Sequence, residues 1–321
     1  MAGLIADLML QGVQMLLVLL VAPAVIGLVR KVKARLARKR GPSILQPYAD
    51  YWKLLRKEVV PAPNASSFYR MAPYVVFAAT WVAAALVPTF ATGLIFNWTA
   101  DLIVIVGLLG TARFTLALAA LDIGSGFGGI GSSREMMIAA IAEPAMLMVV
   151  FTVAMLAHTT ELSSIAEFLI VQPVGLRISL ALALIAFIIV LLAENARIPV
   201  DNPATHLELT MVHEAMVLDY SGRHLALIEA AGAMKLVLYM GIVGCLFLPF
   251  GMATGTRDAS SLLEGGALYL LKLVAGGFAL AFGESAVAKM RVFRVAEFLG
   301  MALVLGLLAV LLLFVTKGVR G

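Results

Sequence analysis

Residues 8–29 read Leu-Met-Leu-Gln-Gly-Val-Gln-Met-Leu-Leu-Val-Leu-Leu-Val-Ala-Pro-Ala-Val-Ile-Gly-Leu-Val, an uncharged run between Asp7 and Arg30. A helix needs about 20 mainly apolar residues to cross the hydrocarbon core, and only a helix or a closed barrel satisfies its own backbone there. This stretch is therefore predicted to be a membrane span. Runs of the same kind recur within 71–96, 102–121, 136–157, 177–193, 225–250, 265–283 and 298–316, the fifth span being the shortest. The totals agree: 62% of residues are hydrophobic, 13% are charged and the mean hydropathy is +1.01, values that exclude a water-soluble domain. The expectation is an all-α integral membrane protein with about eight transmembrane helices, a single membrane domain over residues 1–321. The first span has no basic segment before it and no small-residue cleavage site, so it reads as a retained span and not a removable signal.

Lysine and arginine set the orientation, because cytoplasmic loops retain them. Arg30, Lys31, Lys33, Arg35, Arg38, Lys39 and Arg40 form one run; Lys53, Arg56, Lys57 and Arg70 follow in the same inter-span segment, and Arg134, Arg197, Arg223, Lys289, Arg291 and Arg294 fall on the same side. The other side has only Arg177, Arg257, Lys317 and Arg320, so both termini are expected outside the cytoplasmic (inner) membrane. The net charge of +5 is explained by these membrane-flanking cations and not by nucleic-acid binding. In the basic cytoplasmic segment 30–70, Pro47 can open a helix on which Tyr48, Tyr51, Trp52, Leu55 and Val59 recur at helical spacing. This predicts an amphipathic helix on the inner face, which contacts lipid, walls a lipid-accessible cavity with Gln46, Tyr48, Tyr51 and Trp52, or docks a peripheral subunit.

The one cysteine, Cys245, sits in an apolar run, so no internal disulfide and no cysteine-held cluster is expected. The stretch Gly124-Ser-Gly-Phe-Gly-Gly129 has the spacing of a dinucleotide fingerprint but lacks a strand before it, and reads as a turn. Ser132-Ser-Arg-Glu135 then fits a capping box opening the fourth span. Ionisable groups within spans are Arg113, Glu143, Glu229, Lys235, Lys272 and Glu284. Each costs roughly 2.5–3.5 kcal/mol to insert unless paired or wetted, so they form either structural ion pairs or a proton path.

The densest signal lies at 194–224, an acidic loop on the side that otherwise leans basic. It holds Glu194, Asp201, Glu208, Glu214 and Asp219 with His206, His213 and His224. His206 and His213 stand seven apart without a third ligand at a diagnostic spacing, so titrating groups at a proton entrance fit better than a metal site. Residues 193–222, A-E-N-A-R-I-P-V-D-N-P-A-T-H-L-E-L-T-M-V-H-E-A-M-V-L-D-Y-S-G, resemble the signature of the membrane subunit of energy-converting nickel-iron hydrogenases, of the formate hydrogenlyase and hydrogenase component C type, homologous to subunit 1 of respiratory complex I. R-K-R-G-P-S-I-L-Q-P-Y-A-D-Y-W-K-L-L-R-K-E, residues 38–58, is similar to that family's first cytoplasmic segment.

The resemblance implies a membrane-anchoring, proton-coupling subunit within an oxidoreductase complex, itself non-catalytic. It implies no cofactor on this chain; nickel-iron and iron-sulfur centres belong to partners. The partners implied are hydrogenase-type large and small subunits, an iron-sulfur subunit and antiporter-like membrane subunits. It makes 194–224 a coupling loop, places Glu143, Glu194, Asp201 and Glu208 among acids implicated in coupling, with Arg197 beside them, and matches Glu214 and Asp219 to the hydrogenase branch. Gly41-Pro42-Ser43 runs directly into Ile44-Leu45-Gln46-Pro47, without the longer segment that helps complex I enclose quinone, and the 193–222 loop is longer than its complex I counterpart. Both departures favour the hydrogenase branch. A passive anchor, and a quinone-site subunit with the cavity at Gln46, Tyr48, Tyr51 and Trp52, are the alternatives.

Overall fold

A computed structural model of the chain describes residues 2–96, 99–171, 178–201, 211–254 and 258–318, with side chains omitted for 2–6, 292–293 and 317–318. The described residues form helices α1 (Ala2–Leu36), α2 (Gln46–Leu55), α3 (Ser67–Leu86), α4 (Leu102–Asp122), α5 (Gly126–Ala157), α6 (Leu162–Val171), α7 (Ile178–Glu194), α8 (His213–Val217), α9 (Gly222–Leu246), α10 (Ala259–Ala286) and α11 (Val292–Gly318). Seven of them are long and apolar enough to cross a membrane. The remaining predicted span, the fifth, corresponds to α7, whose described part has 17 residues, just short of a full crossing. The chain is an all-helical integral membrane protein.

The spans pack as an arc in which α10 leans on α1, α1 on α9, α9 on α3, α3 on α4 and α4 on α5, with α7 and α11 against α5. Lipid tails give apolar side chains no reason to leave them, so such packing depends on close van der Waals fit through small residues. Ala83, Ala84, Ala112, Ala117, Ala119, Ala120, Ala139, Ala142 and Ala145 are buried in α3, α4 and α5, which pack in that order. At the α5–α11 crossing, a Cβ on Gly306 would stand 2.8 Å from the Met148 Cβ.

Several helices overrun the apolar windows read from the sequence. α1 continues through the basic run to Leu36, because lysine and arginine are good helix formers and sit well in a last turn. α5 starts at Gly126, capped by the Ser125 hydroxyl, which accepts from the Gly128 N–H. The expected capping box is therefore displaced: Ser132 is a buried interior residue donating to the Ala117 carbonyl, and Glu135 is left to take another role. The glycines serve contacts within the chain. A Cβ on Gly128 would clash with the Ala120 carbonyl oxygen, and one on Gly131 would lie 2.9 Å from the Ala215 Cβ. Gly128→Ala is expected to lower thermal stability by roughly 1–3 kcal/mol. Gly129→Ala, facing open space, should leave the melting temperature unchanged or raise it slightly.

The amphipathic helix forms as α2 with Pro47 in its first turn, and ends at Leu55, so Val59 lies beyond it. The loop before it crosses α1 at Gly27, where a Cβ would collide with the Ile44 carbonyl. At its other end Ser221 brackets Val60, accepting from its N–H at 2.9 Å and donating to its carbonyl at 3.1 Å. α2 is thus fixed against α1 and α9, at the end of the bundle that carries the basic run and the segment after α7.

Candidate functional site

The segment after α7 begins with a tight helix stop. The Arg197 N–H reaches the Leu192 carbonyl at 2.9 Å and the Ala196 N–H the Ala193 carbonyl at 3.1 Å, the paired bonds of a Schellman ending. Ala196 takes the left-handed position, φ 47°, where glycine is the usual occupant. Ala196→Gly is expected to raise stability by roughly 0.5–1 kcal/mol, read as a higher melting temperature. The turn directs Glu194, Arg197 and Asp201 to three different sets of partners.

Glu194, 7% exposed, faces α4 and α9. Its Oε2 contacts the Arg113 guanidinium and lies 2.9 Å from the Lys235 ammonium. Arg113, a buried cation in α4, also meets Glu135 Oε1 at 3.3 Å and Glu143 Oε1 at 3.4 Å, both from α5. Two cations thus face three carboxylates across α4, α5, α7 and α9. Glu143 has the most exposed side chain of the group, at 43%. Pro144 follows it in mid-helix, so the Ala140 carbonyl loses its usual donor one turn below. Gly110 of α4 lies against the Glu143 carboxylate, which would stand 3.5 Å from a Cβ there, in ordinary contact.

Arg197 turns the other way. It approaches Glu284 Oε1 at 3.6 Å, while Lys33 from α1 approaches the other oxygen of that carboxylate at 2.7 Å. Burial pushes the Arg197 guanidinium below its ordinary pKa, and the Glu284 charge opposes that shift. Asp201, 2% exposed, pairs with Lys289 at 2.9 Å and accepts from the Val212 N–H at 3.2 Å. One short turn therefore joins two buried ionic groups and a third pair.

The other expected residues are distributed differently. Asp219 accepts from the Ser125 hydroxyl at 2.7 Å, which places its charge at the start of α5, where a helix favours anions. Glu214 opens α8 and is a charged neighbour of Glu229, as are Arg30 and Asp50. Lys272 stands apart: its ammonium donates to the Leu248 and Phe250 carbonyls at 2.6 and 2.7 Å beyond the end of α9. Glu208 and His206 lie outside the described residues. Among the described residues no group of three or more His, Cys, Asp or Glu is arranged to hold a metal. On α2, Gln46 donates to Asp50 at 2.9 Å, and the phenols of Tyr48 and Tyr51 donate to the Leu20 and Glu229 carbonyls. Desolvation raises both phenol pKa values. Trp52 is exposed, with the Arg56 guanidinium 4.6 Å above its ring.

Glu135, Lys33 and Lys289 are the members that sequence reasoning misses. The local pattern around Glu135 fits a cap, and the two lysines merge with the membrane-flanking basic residues. The i, i+8 spacing of Glu135 and Glu143 on one helix is the available signal for the first.

A polytopic helical membrane protein, with buried paired charges leading from a turn at one face into its interior, is the class defined by fold and site. The chain belongs to the NADH dehydrogenase family, whose match spans residues 9–316. It is 32% identical to formate hydrogenlyase subunit 4 of Escherichia coli over 280 residues, 87% of this chain and 90% of that protein. It is also 32% identical to hydrogenase-4 component C of Escherichia coli over 240 residues, 75% of each chain. A subunit of the NADH-quinone oxidoreductase of Phocaeicola vulgatus is 30% identical over 258 residues, covering 73% of this chain and 67% of that one. A chain of the membrane-bound sulfane sulfur reductase, an archaeal respiratory membrane complex, shares the fold with a TM-score of 0.82 at 21% identity, over 97% of this chain and 99% of that one.

Proposed function

We propose that this chain is the membrane-anchoring and ion-coupling subunit of a multisubunit hydrogenase- or complex I-like redox complex in the cytoplasmic membrane. Redox centres belong to its partners: a hydrogenase-type large and small subunit and an iron-sulfur subunit on the cytoplasmic side, with antiporter-like subunits beside it in the membrane. The observation that carries this reading is the position of Glu194, which stands on the turn where a peripheral arm would press and also binds Arg113 and Lys235 inside the bundle.

In a low-dielectric site, moving a carboxylate a few tenths of an ångström from its cation changes which protonation state is favoured. The three carboxylates share the Arg113 guanidinium, so withdrawal of Glu194 changes the electrostatic field at Glu135 and Glu143. Glu143, half-exposed and next to a break in the helical hydrogen bonds, is the outlet towards a neighbouring membrane subunit. Arg197 transmits the same displacement to Glu284. Asp201 and its partner Lys289 anchor the end of the turn, so that force on the loop reaches Glu194 and is not dissipated.

The paired charges also suit a passive anchor, in which they only hold helices together. Glu194→Gln and Glu143→Gln, made in the assembled complex, separate the two readings. Ion translocation into sealed vesicles is expected to fall to a small fraction of normal while the complex stays intact. Translocation at the normal ratio to electron transfer in both variants would establish the passive anchor instead.

A further inference from the structure

Between α1 and α10, at the end of the bundle bearing the basic run, a groove of about 770 Å³ opens on the outer surface. Its size is that of a small-molecule site. Leu28, Lys31, Arg35 and Leu36 form one wall, Phe278 and Phe282 the other, and both rings are at least half exposed. Below it the two helices are locked together. Gly277 packs under Leu28, with a Cβ there standing 3.1 Å from Leu28 Cδ2, and Lys33 on another face of α1 is paired with Glu284. The groove is therefore a built feature of the α1–α10 contact.

Lys31 and Arg35 are one turn apart and share a face. Among the described residues neither has a carboxylate within 4.0 Å, in contrast to Lys33. The rest of the wall is apolar. Two cations at the membrane boundary above exposed aromatic rings are complementary to an amphiphile with an anionic head and a hydrocarbon tail. A transmembrane helix fits less well, because such helices pack through small residues and this lining, with Ala279 its one small member, is mainly phenylalanine, leucine and valine.

We infer that an anionic phospholipid occupies this groove, its phosphate between Lys31 and Arg35 and an acyl chain along Leu28, Phe278 and Phe282. The lipid belongs to the leaflet next to the basic run and joins α1 to α10 beside the Lys33–Glu284 pair.

The test uses the purified complex, titrated in detergent with phosphatidylglycerol or phosphatidylethanolamine and followed by native mass spectrometry. Lys31→Gln with Arg35→Gln is expected to weaken phosphatidylglycerol binding roughly thirty-fold, the effect of two basic groups at a membrane surface, and to leave phosphatidylethanolamine unchanged. Lys39→Gln with Arg40→Gln, equal in charge but outside the groove, should retain the normal affinity. Ala279→Leu fills the groove without altering charge and should also displace the lipid, which gives a second measurement if the first variant assembles poorly. A benzophenone side chain at position 282 should crosslink to phospholipid. Crosslinking to a polypeptide instead, or equal loss of binding in the two charge variants, would overturn the assignment.

Discussion

Arg113→Leu is expected to prevent accumulation of the assembled complex. The substitution leaves Glu135, Glu143 and Glu194 facing Lys235 alone, and removing one partner of a buried ionic group costs about 3–5 kcal/mol. That is a large part of the stability of most folded chains. The measurement is the amount of complex recovered from membranes and its melting temperature. Arg113→Lys should recover assembly in part but not coupling, because an ammonium cannot reach three carboxylates as a forked guanidinium does. If Arg113→Leu assembled normally, the group would be wetted and not buried as a unit, and the coupling proposal would lose its physical basis.

Glu284→Gln carries the second large effect. Its carboxylate is the common partner of Lys33 and Arg197, and among the described residues neither cation has another carboxylate within 4.0 Å. Neutralising it leaves the buried Arg197 charge uncompensated, so the turn at 195–201 is expected to open, by about 2–4 kcal/mol. Hydrogen exchange of its amides should then accelerate by more than an order of magnitude, and translocation should decline with it. Adding Arg197→Gln removes the stranded charge and should return much of the protection. That non-additivity is the signature of a direct pair. Exchange at the turn equal to that of the unaltered protein would show that Arg197 finds another partner.

The membrane spans are legible in the sequence because hydropathy alone decides them: a run such as 8–29 has no other stable fate in a chain this apolar. Helix ends are not: α1 is extended by lysine and arginine, which favour helix without being apolar, whereas α5 is extended by a glycine-rich stretch held by the Ser125 cap and by close contacts at Gly128 and Gly131. In the site, Glu143, Glu194 and Asp201 stand out through motif resemblance, and Arg113 and Lys235 as charges within spans. Which charge meets which is invisible there, because pairing depends on how α4, α5, α7 and α9 are placed around one another. Lys272 shows the limit of the rule that intramembrane charges belong together. It sits on a span like Lys235 but binds carbonyls at the end of α9, and nothing in its local sequence distinguishes the two. Glu135 shows the converse, since a plausible local role conceals a tertiary one.

The half-exposed Glu143 also bears on how the protein is made. A mid-span carboxylate whose side chain is 43% exposed is only partly compensated by its Arg113 partner, so a newly inserted copy is poorly matched to lipid until a neighbour covers that face. Synthesised without its partners, the chain should be short-lived and cleared by membrane quality control, and Glu143→Leu should prolong its life. The same glutamate would then report that assembly is complete.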